Sequence, residues 1–240
     1  MKTEAIVASA GLGKRLKGAS LKRGRAYPRI RKPYLEISNK PILIHTLCQL
    51  SGCDSIDSII VVVNSLDQEK CRRLIKSYSI KKVKAVVGGG RERSDSVYNG
   101  LNYLDKDTDI VLVHDGVRPF IDNGIIKRSI GMAEKFGACI VGVPVKGTVK
   151  KLKIQKSKFK IVDVTLDRSK LWEIQTPQVF RRGLILEAYR RFRHLRVTDD
   201  SMLIEKLGRK VMVIMGAYDN IKITTPEDLT IAEGILAKRA

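Results

Sequence analysis

Near the start of the chain, Ala10-Gly11-Leu12-Gly13-Lys14-Arg15 sets two glycines beside two cations. Glycine at 11 and 13 lets the backbone approach a ligand and aim N–H groups at an anion. Arg15 can grip phosphate through two parallel bonds. The full dinucleotide fingerprint is absent, since Lys14 and Arg15 lead to Leu16, and no Walker pattern occurs. Alone, such a motif is equally a glycine turn with solvated cations. Three further polar clusters are Gly88 to Ser96, His114 to Pro119, and Asp219-Asn220-Ile221-Lys222. Asp115 and Asp219 are carboxylates beside basic loops, a pattern that suits a magnesium ion shared with substrate phosphates. The plainer reading makes Asp115 a turn residue before Gly116 and Asp219 the cap of a turn.

Each cluster directly follows an apolar run, and those runs are the elements that must position it. Ala5 to Ala8, Ile59 to Val63, Val83 to Val87, Ile110 to Val113, Cys139 to Val143 and Val211 to Met215 read as buried strands. Helical segments lie between them. Pro41 marks one start, Ser65 with Gln68 a capping box, Asp122 and Thr198 further caps, and Thr225-Pro226-Glu227-Asp228 the last start. Strands alternating with helices predict an α/β fold: a mostly parallel sheet with helices on both faces. The polar clusters then converge on the carboxyl edge, where such sheets bind ligands. Residues 148 to 166 alternate apolar with basic or polar and read instead as a protruding two-stranded arm, with Gln155 to Lys158 as its turn. Such an arm is marginal alone and needs a packing partner, for which a second copy of the chain is suited. No linker divides the chain, so residues 1–240 read as a single domain.

The 240 residues carry 46 Lys and Arg against 25 Asp and Glu, a net charge of +21. That attracts polyanions, from nucleic acid to phosphorylated small molecules. Nine cations and no acid lie between residues 14 and 32, either a solvated face or a lid over phosphates. Aromatic residues are only 5%, which argues against a stacking single-strand binder and leaves at most weak, salt-sensitive adhesion to nucleic acid. His45, Cys48 and Cys53 match no zinc spacing, and the four cysteines read as buried thiols of a reducing cytoplasm. No apolar stretch approaches a membrane span, and the Ala5–Ala10 run is too short for a signal peptide. A cytoplasmic protein that touches no membrane is expected.

Taken in order, the clusters resemble one family, the 2-C-methyl-D-erythritol 4-phosphate cytidylyltransferases of the non-mevalonate isoprenoid pathway. The matching pieces are A-G-L-G-K-R at 10–15, K-P-Y-L at 32–35, G-G-R-E-R-S-D-S-V at 89–97 and V-H-D-G-V-R-P at 113–119. Thr148, Asp167-Arg168, T-P-Q at 176–178, Thr198-Asp199 and D-N-I-K-I-T at 219–224 continue the match along the whole chain. The resemblance implies a Rossmann-like α/β domain with a protruding β-arm, through which two copies clasp as a homodimer. It also implies transfer of a cytidylyl group from CTP to methylerythritol phosphate, with Mg²⁺ and release of pyrophosphate.

By position, the resemblance makes Arg15 and Lys32 the transition-state stabilisers, and Arg168 and Lys222 the residues that place the acceptor phosphate. Arg168 and Thr148 would act in the neighbouring subunit's site. Ala10, Gly11 and Gly13 would hold the triphosphate, Gly90 and Ser96 the cytosine, and Asp115, Arg118 and Thr198 the acceptor pocket. The chain departs from the family where Arg31-Lys32-Pro33 replaces Pro-Lys-Gln, so Arg29 and Arg31 are alternatives to Lys32. Arg91 stands where an acid is common. No general base is needed, because the attacking phosphate oxygen is already anionic. Ribitol 5-phosphate is the nearest rival acceptor, and a basic nucleic-acid-binding protein is the rival of another class.

Overall fold

The computed structural model describes residues 1–11, 31–154 and 160–239. In chain order the first strands are β1 (Thr3–Ser9), the short pair β2 (Glu36–Ile37) and β3 (Lys40–Pro41), β4 (Ser58–Val63), β5 (Val83–Gly88) and β6 (Ile110–Asp115). There follow β7 (Ala138–Pro144), β8 (Lys150–Ile154), β9 (Lys160–Thr165), β10 (Trp172–Arg181) and β11 (Met212–Met215). The helices are α1 (Ile42–Ser51), α2 (Gln68–Ser77), α3 (Arg93–Leu101), α4 (Asn123–Phe136), α5 (Arg182–Phe192), α6 (Ser201–Lys206) and α7 (Pro226–Arg239).

Among the described residues, seven strands form the main sheet in the order β11-β7-β10-β6-β1-β4-β5. β5, β4, β1 and β6 run parallel, as do β7 and β11. β10 lies between these two groups, antiparallel to both. The six apolar runs are all strands, as their continuous hydrophobicity predicts for a sheet covered on both faces. Alternate residues of one strand serve opposite faces. Val61 and Val63 pack with Leu43, Leu47, Cys71 and Ile126, on the side of α1, α2 and α4. Ile60 and Val62 pack with Val97, Leu101, Ile185 and Leu203, on the side of α3, α5 and α6. Helices therefore cover both faces, as expected.

Several local expectations need correction. β10 is not singled out as a strand in the sequence reading, because Pro177 interrupts it and Gln175, Thr176 and Gln178 surround that proline with polar groups. Its register slips between Gln175 and Gln178, and Thr176 sits in that irregularity. The capping box at Ser65 and Gln68 is absent. Asn64 accepts the Leu66 N–H at 3.1 Å, a 3₁₀ turn spans Ser65–Asp67, and α2 begins only at Gln68. Pro41 sits just before α1 instead of in its first turn. Thr198 does not cap α6; Asp200 is its N-cap residue, and the Asp199 side chain takes the Met202 N–H at 3.1 Å. Asp122 caps α4 at Ile125 as expected.

β8 and β9 pair antiparallel as the arm, apart from the main sheet. The expected turn at Gln155–Lys158 lies outside the described residues. Leu152, Ile161, Val162 and Val164 on the arm are 41–52% exposed, so among the described residues these apolar side chains are only partly covered.

At the amino-terminal edge of the sheet, Glu4 is fully buried on β1. It meets Lys84 and Ser58 at 2.5 Å, Thr108 at 2.6 Å and the Asp105 N–H at 2.8 Å. Burial alone would raise the Glu4 carboxyl, but Lys84, Ser58 and Thr108 outweigh it and lower its pKa. Glu4→Ala removes the buried acceptor of Ser58, Thr108 and the Asp105 N–H and one of the two carboxylates on Lys84, which keeps Asp105 at 2.8 Å. It is expected to cost roughly 3 kcal/mol in equilibrium denaturation, by analogy with broken buried pairs. A loss below about 1 kcal/mol, the worth of a surface pair, would contradict this.

Candidate active site

The carboxyl edge of β1, β4, β5 and β6 opens into a cavity of about 450 Å³. Four groups of residues line it: Ala8 to Gly11 after β1, Asn64 after β4, Gly90 to Arg93 with Ser96 after β5, and Asp115 with Val117 at β6. Lys32, Pro33 and Lys222 to Thr224 close the other side. The loops approach so tightly that side chains are excluded. A Cβ on Gly89 would lie 2.2 Å from the Ala10 Cβ, and one on Gly116 would lie 1.7 Å from the Ser9 Oγ.

Asp115 is the buried anion of this cavity. Its Oδ2 lies 2.8 Å from the Lys222 Nζ and 3.4 Å from the Arg118 Nε, and its Oδ1 lies 3.5 Å from the Arg93 Nε. Burial would raise the carboxyl, but Lys222, Arg93 and Arg118 hold it well below the usual carboxylate range. Arg118 in turn donates to the Asn220 carbonyl at 2.8 Å, tying the loop that carries Lys222 to β6. The Asn220 side-chain amide donates to the Gln175 Oε1 and the Thr176 carbonyl.

His114 sits behind Asp115, fully buried. Its Nε2 is 3.0 Å from the Arg118 carbonyl, which only accepts, so Nε2 carries the proton. Nδ1 then accepts from the Thr176 hydroxyl at 3.1 Å, and the same hydroxyl oxygen takes the Asp115 N–H at 3.0 Å. A neutral imidazole satisfies every partner. Its burial behind the strand end gives His114 a structural role.

Of the residues singled out from sequence, Ala10, Gly11, Lys32, Gly90, Ser96, Asp115 and Lys222 line the cavity together. Lys32 donates to the Thr224 carbonyl at 2.6 Å, whereas Arg31 turns to an ion pair with Asp67. The Ser96 hydroxyl is engaged within its own loop, donating to the Glu92 carbonyl and accepting the Gly90 N–H. Arg118 stands directly behind Asp115. Thr148 and Arg168 sit at the base of the arm, outside the cavity lining, and Arg168 donates to the Lys146 carbonyl at 2.6 Å. Thr198 is exposed and directs its hydroxyl to the Met202 sulfur at 3.1 Å. Gly13, Arg15 and Arg29 lie outside the described residues.

Asp115 and Asp219 are not brought together. Asp219 meets the Arg239 guanidinium at 2.6 Å and does not line the cavity. No group of three or more His, Cys, Asp or Glu that could hold a metal ion occurs among the described residues. The donor set therefore does not fit a resident metal. Asn64 and Arg93 are among the lining residues that had no role from sequence. For Asn64 the available signal was its place after a parallel strand, at the same edge as the other loops.

These loops occur together in known proteins. The family model for 2-C-methyl-D-erythritol 4-phosphate cytidylyltransferase (IspD) matches residues 3–238. The chain belongs to this family. A protein of that name from Alkaliphilus metalliredigens is 47% identical, covering 99% of this chain and 94% of its own. One from Geobacillus thermodenitrificans is 41% identical, covering 100% and 99%. The crystal structure of 4-diphosphocytidyl-2C-methyl-D-erythritol synthase from Anaerococcus prevotii superposes with a TM-score of 0.82 at 34% identity, covering 98% of this chain and 96% of that one. Among the described residues no helix is long and apolar enough to cross a membrane.

Burial lowers the His114 pKa to about 4, against 6.5 when solvated. The unfolded state therefore takes up this proton first as pH falls. Stability from neutral His114 is complete above pH 6.5 and drains away toward pH 4, about 3 kcal/mol in all. Chemical denaturation at pH 7 and pH 5 should show a steeper loss in the natural protein than in His114→Gln. Equal losses would show that this imidazole does not titrate on unfolding.

Proposed function

We propose that this chain transfers the cytidylyl group of CTP to the phosphate of 2-C-methyl-D-erythritol 4-phosphate. An acceptor phosphate oxygen attacks the α-phosphorus in line; the new P–O bond forms as the bond to the β-phosphate oxygen breaks. Pyrophosphate leaves with the electron pair. The observation that carries this reading is the cavity at the carboxyl edge, lined by Lys32 and by Lys222, which stands against the buried Asp115. Such cations stabilise the charge that develops on the nonbridging oxygens, and catalysis is positioning plus electrostatics.

In this reading Ala10, Gly11 and Gly13 hold the triphosphate through backbone N–H groups, with Arg15 and Lys32 on the reacting phosphate. Gly90 meets the cytosine in a loop that Ser96 fixes. Lys222, with Asp115 and Arg118 behind it, receives the acceptor phosphate, and Thr198 lines the acceptor end. Mg²⁺ enters with CTP as part of the substrate, which suits a site whose described residues offer no metal-binding cluster. Two copies clasp through the arm, covering its exposed apolar side chains, and Arg168 and Thr148 complete the partner's site. The reaction is cytoplasmic in this account.

Pyrophosphate release from CTP and Mg²⁺ is expected with methylerythritol phosphate and not with ribitol 5-phosphate or without an acceptor. Faster release with ribitol 5-phosphate would overturn the choice of acceptor. Lys222→Ala and Arg168→Ala should each lower turnover by about 10²–10³-fold, as lost charge-stabilising groups do. Mixed after subunit exchange, the two inactive proteins should regain activity in hybrid dimers. No recovery despite exchange would argue against shared sites.

A further inference from the structure

Arg93 opens α3 and spans two carboxylates from distant parts of the chain. Its Nη1 lies 2.7 Å from the Asp200 Oδ2, and its Nε lies 3.5 Å from the Asp115 Oδ1. Asp200 is fully buried and accepts the Tyr189 hydroxyl at 2.5 Å, while its N–H donates to the Gln178 Oε1 at 3.0 Å. A continuous polar chain thus runs from Tyr189 on α5 through Asp200, Arg93 and Asp115 to Lys222. It joins the segment before α6 to the cation beside the cavity.

The charges make the arrangement asymmetric. Asp115 faces three cations, and Arg93 is the one that is also held from behind by a second anion. Lys222 is 36% exposed and held at 2.8 Å, so its place depends on the direction in which the Asp115 carboxylate points. Only a planar, forked cation can address both carboxylates at once; a lysine ammonium is a point charge. Resting on the functional reading above, we propose that Arg93 is a positioning residue that fixes the Asp115 carboxylate and, through it, the Lys222 ammonium.

A purely structural role, neutralising buried Asp200, is separable from this one. Arg93→Gln alone would leave Asp200 unpaired and threaten the fold. The double variant Arg93→Gln/Asp200→Asn removes both charges and leaves Asp115 without its rear anchor. Asp200→Asn alone keeps that anchor. The experiment compares the natural protein, Asp200→Asn and the double variant in steady-state turnover of CTP with methylerythritol phosphate. It adds CTP binding by calorimetry and a crystal structure of the double variant.

Asp200→Asn is expected within about threefold of the natural kcat, and the double variant at least about tenfold lower with CTP affinity unchanged, the pattern of lost transition-state positioning. The crystal structure should show the Asp115 carboxylate turned and the Lys222 Nζ displaced by about 1 Å, a shift sufficient for such a loss. An unchanged Asp115–Lys222 pair in that structure, or a natural kcat, would overturn the proposal. So would a loss confined to CTP affinity, which would mean direct contact with the nucleotide. A natural protein that turns over no acceptor would instead overturn the functional reading, and the crystal structure would still decide whether Arg93 positions Lys222.

Discussion

The arrangement of the site depends on one buried carboxylate. Burying an ionised Asp costs several kcal/mol unless opposite charge and hydrogen bonds offset it. Asp115 meets that demand with cations from three places: Arg93 at the start of α3, Arg118 just beyond β6, and Lys222 beyond β11. These segments are far apart in sequence and come together because the anion requires them. His114 and Thr176 then fix the strand end that carries it. The pair arrangement has a chemical consequence. A lysine held against a buried carboxylate stands pre-oriented at the cavity wall, so little reorganisation remains when a phosphate arrives.

The sheet makes this convergence possible. β4, β1 and β6 run parallel beside one another, so their following loops share an edge. Continuous apolar strands buried on both faces leave that edge as the place where polar groups gather. β10 enters antiparallel between β6 and β7, and its irregular stretch delivers Thr176 to the rear of Asp115. The described residues of the arm, by contrast, do not line the cavity at this edge. Its exposed apolar residues and the position of Arg168 at its base both look outward.

Much of this was legible in the residues, for identifiable reasons. Strand runs such as Ile59 to Val63 are continuous and apolar, a pattern that survives any tertiary context. β10 was missed because Pro177 and the polar Gln175, Thr176 and Gln178 around it mimic a loop; pairing on both sides overrides that propensity. The polar loops were legible as loops, and seven of the residues singled out do line one cavity. Partner choice was not. Asp219 is drawn to Arg239 twenty residues later, and Arg93 to Asp200 more than a hundred residues away. Such pairings depend on which elements pack together, and no local pattern encodes them.

Asp115 organises Arg93, Arg118 and Lys222 at the cavity, and Asp115→Asn tests most directly whether turnover depends on it. This nearly isosteric change removes the charge and keeps the volume. Turnover of CTP with methylerythritol phosphate, measured per folded protein, is predicted to fall by about a hundredfold, the scale of a lost electrostatic anchor. CTP affinity should change little. A folded Asp115→Asn protein turning over within about threefold of the natural rate, less than 1 kcal/mol of barrier, would contradict the account.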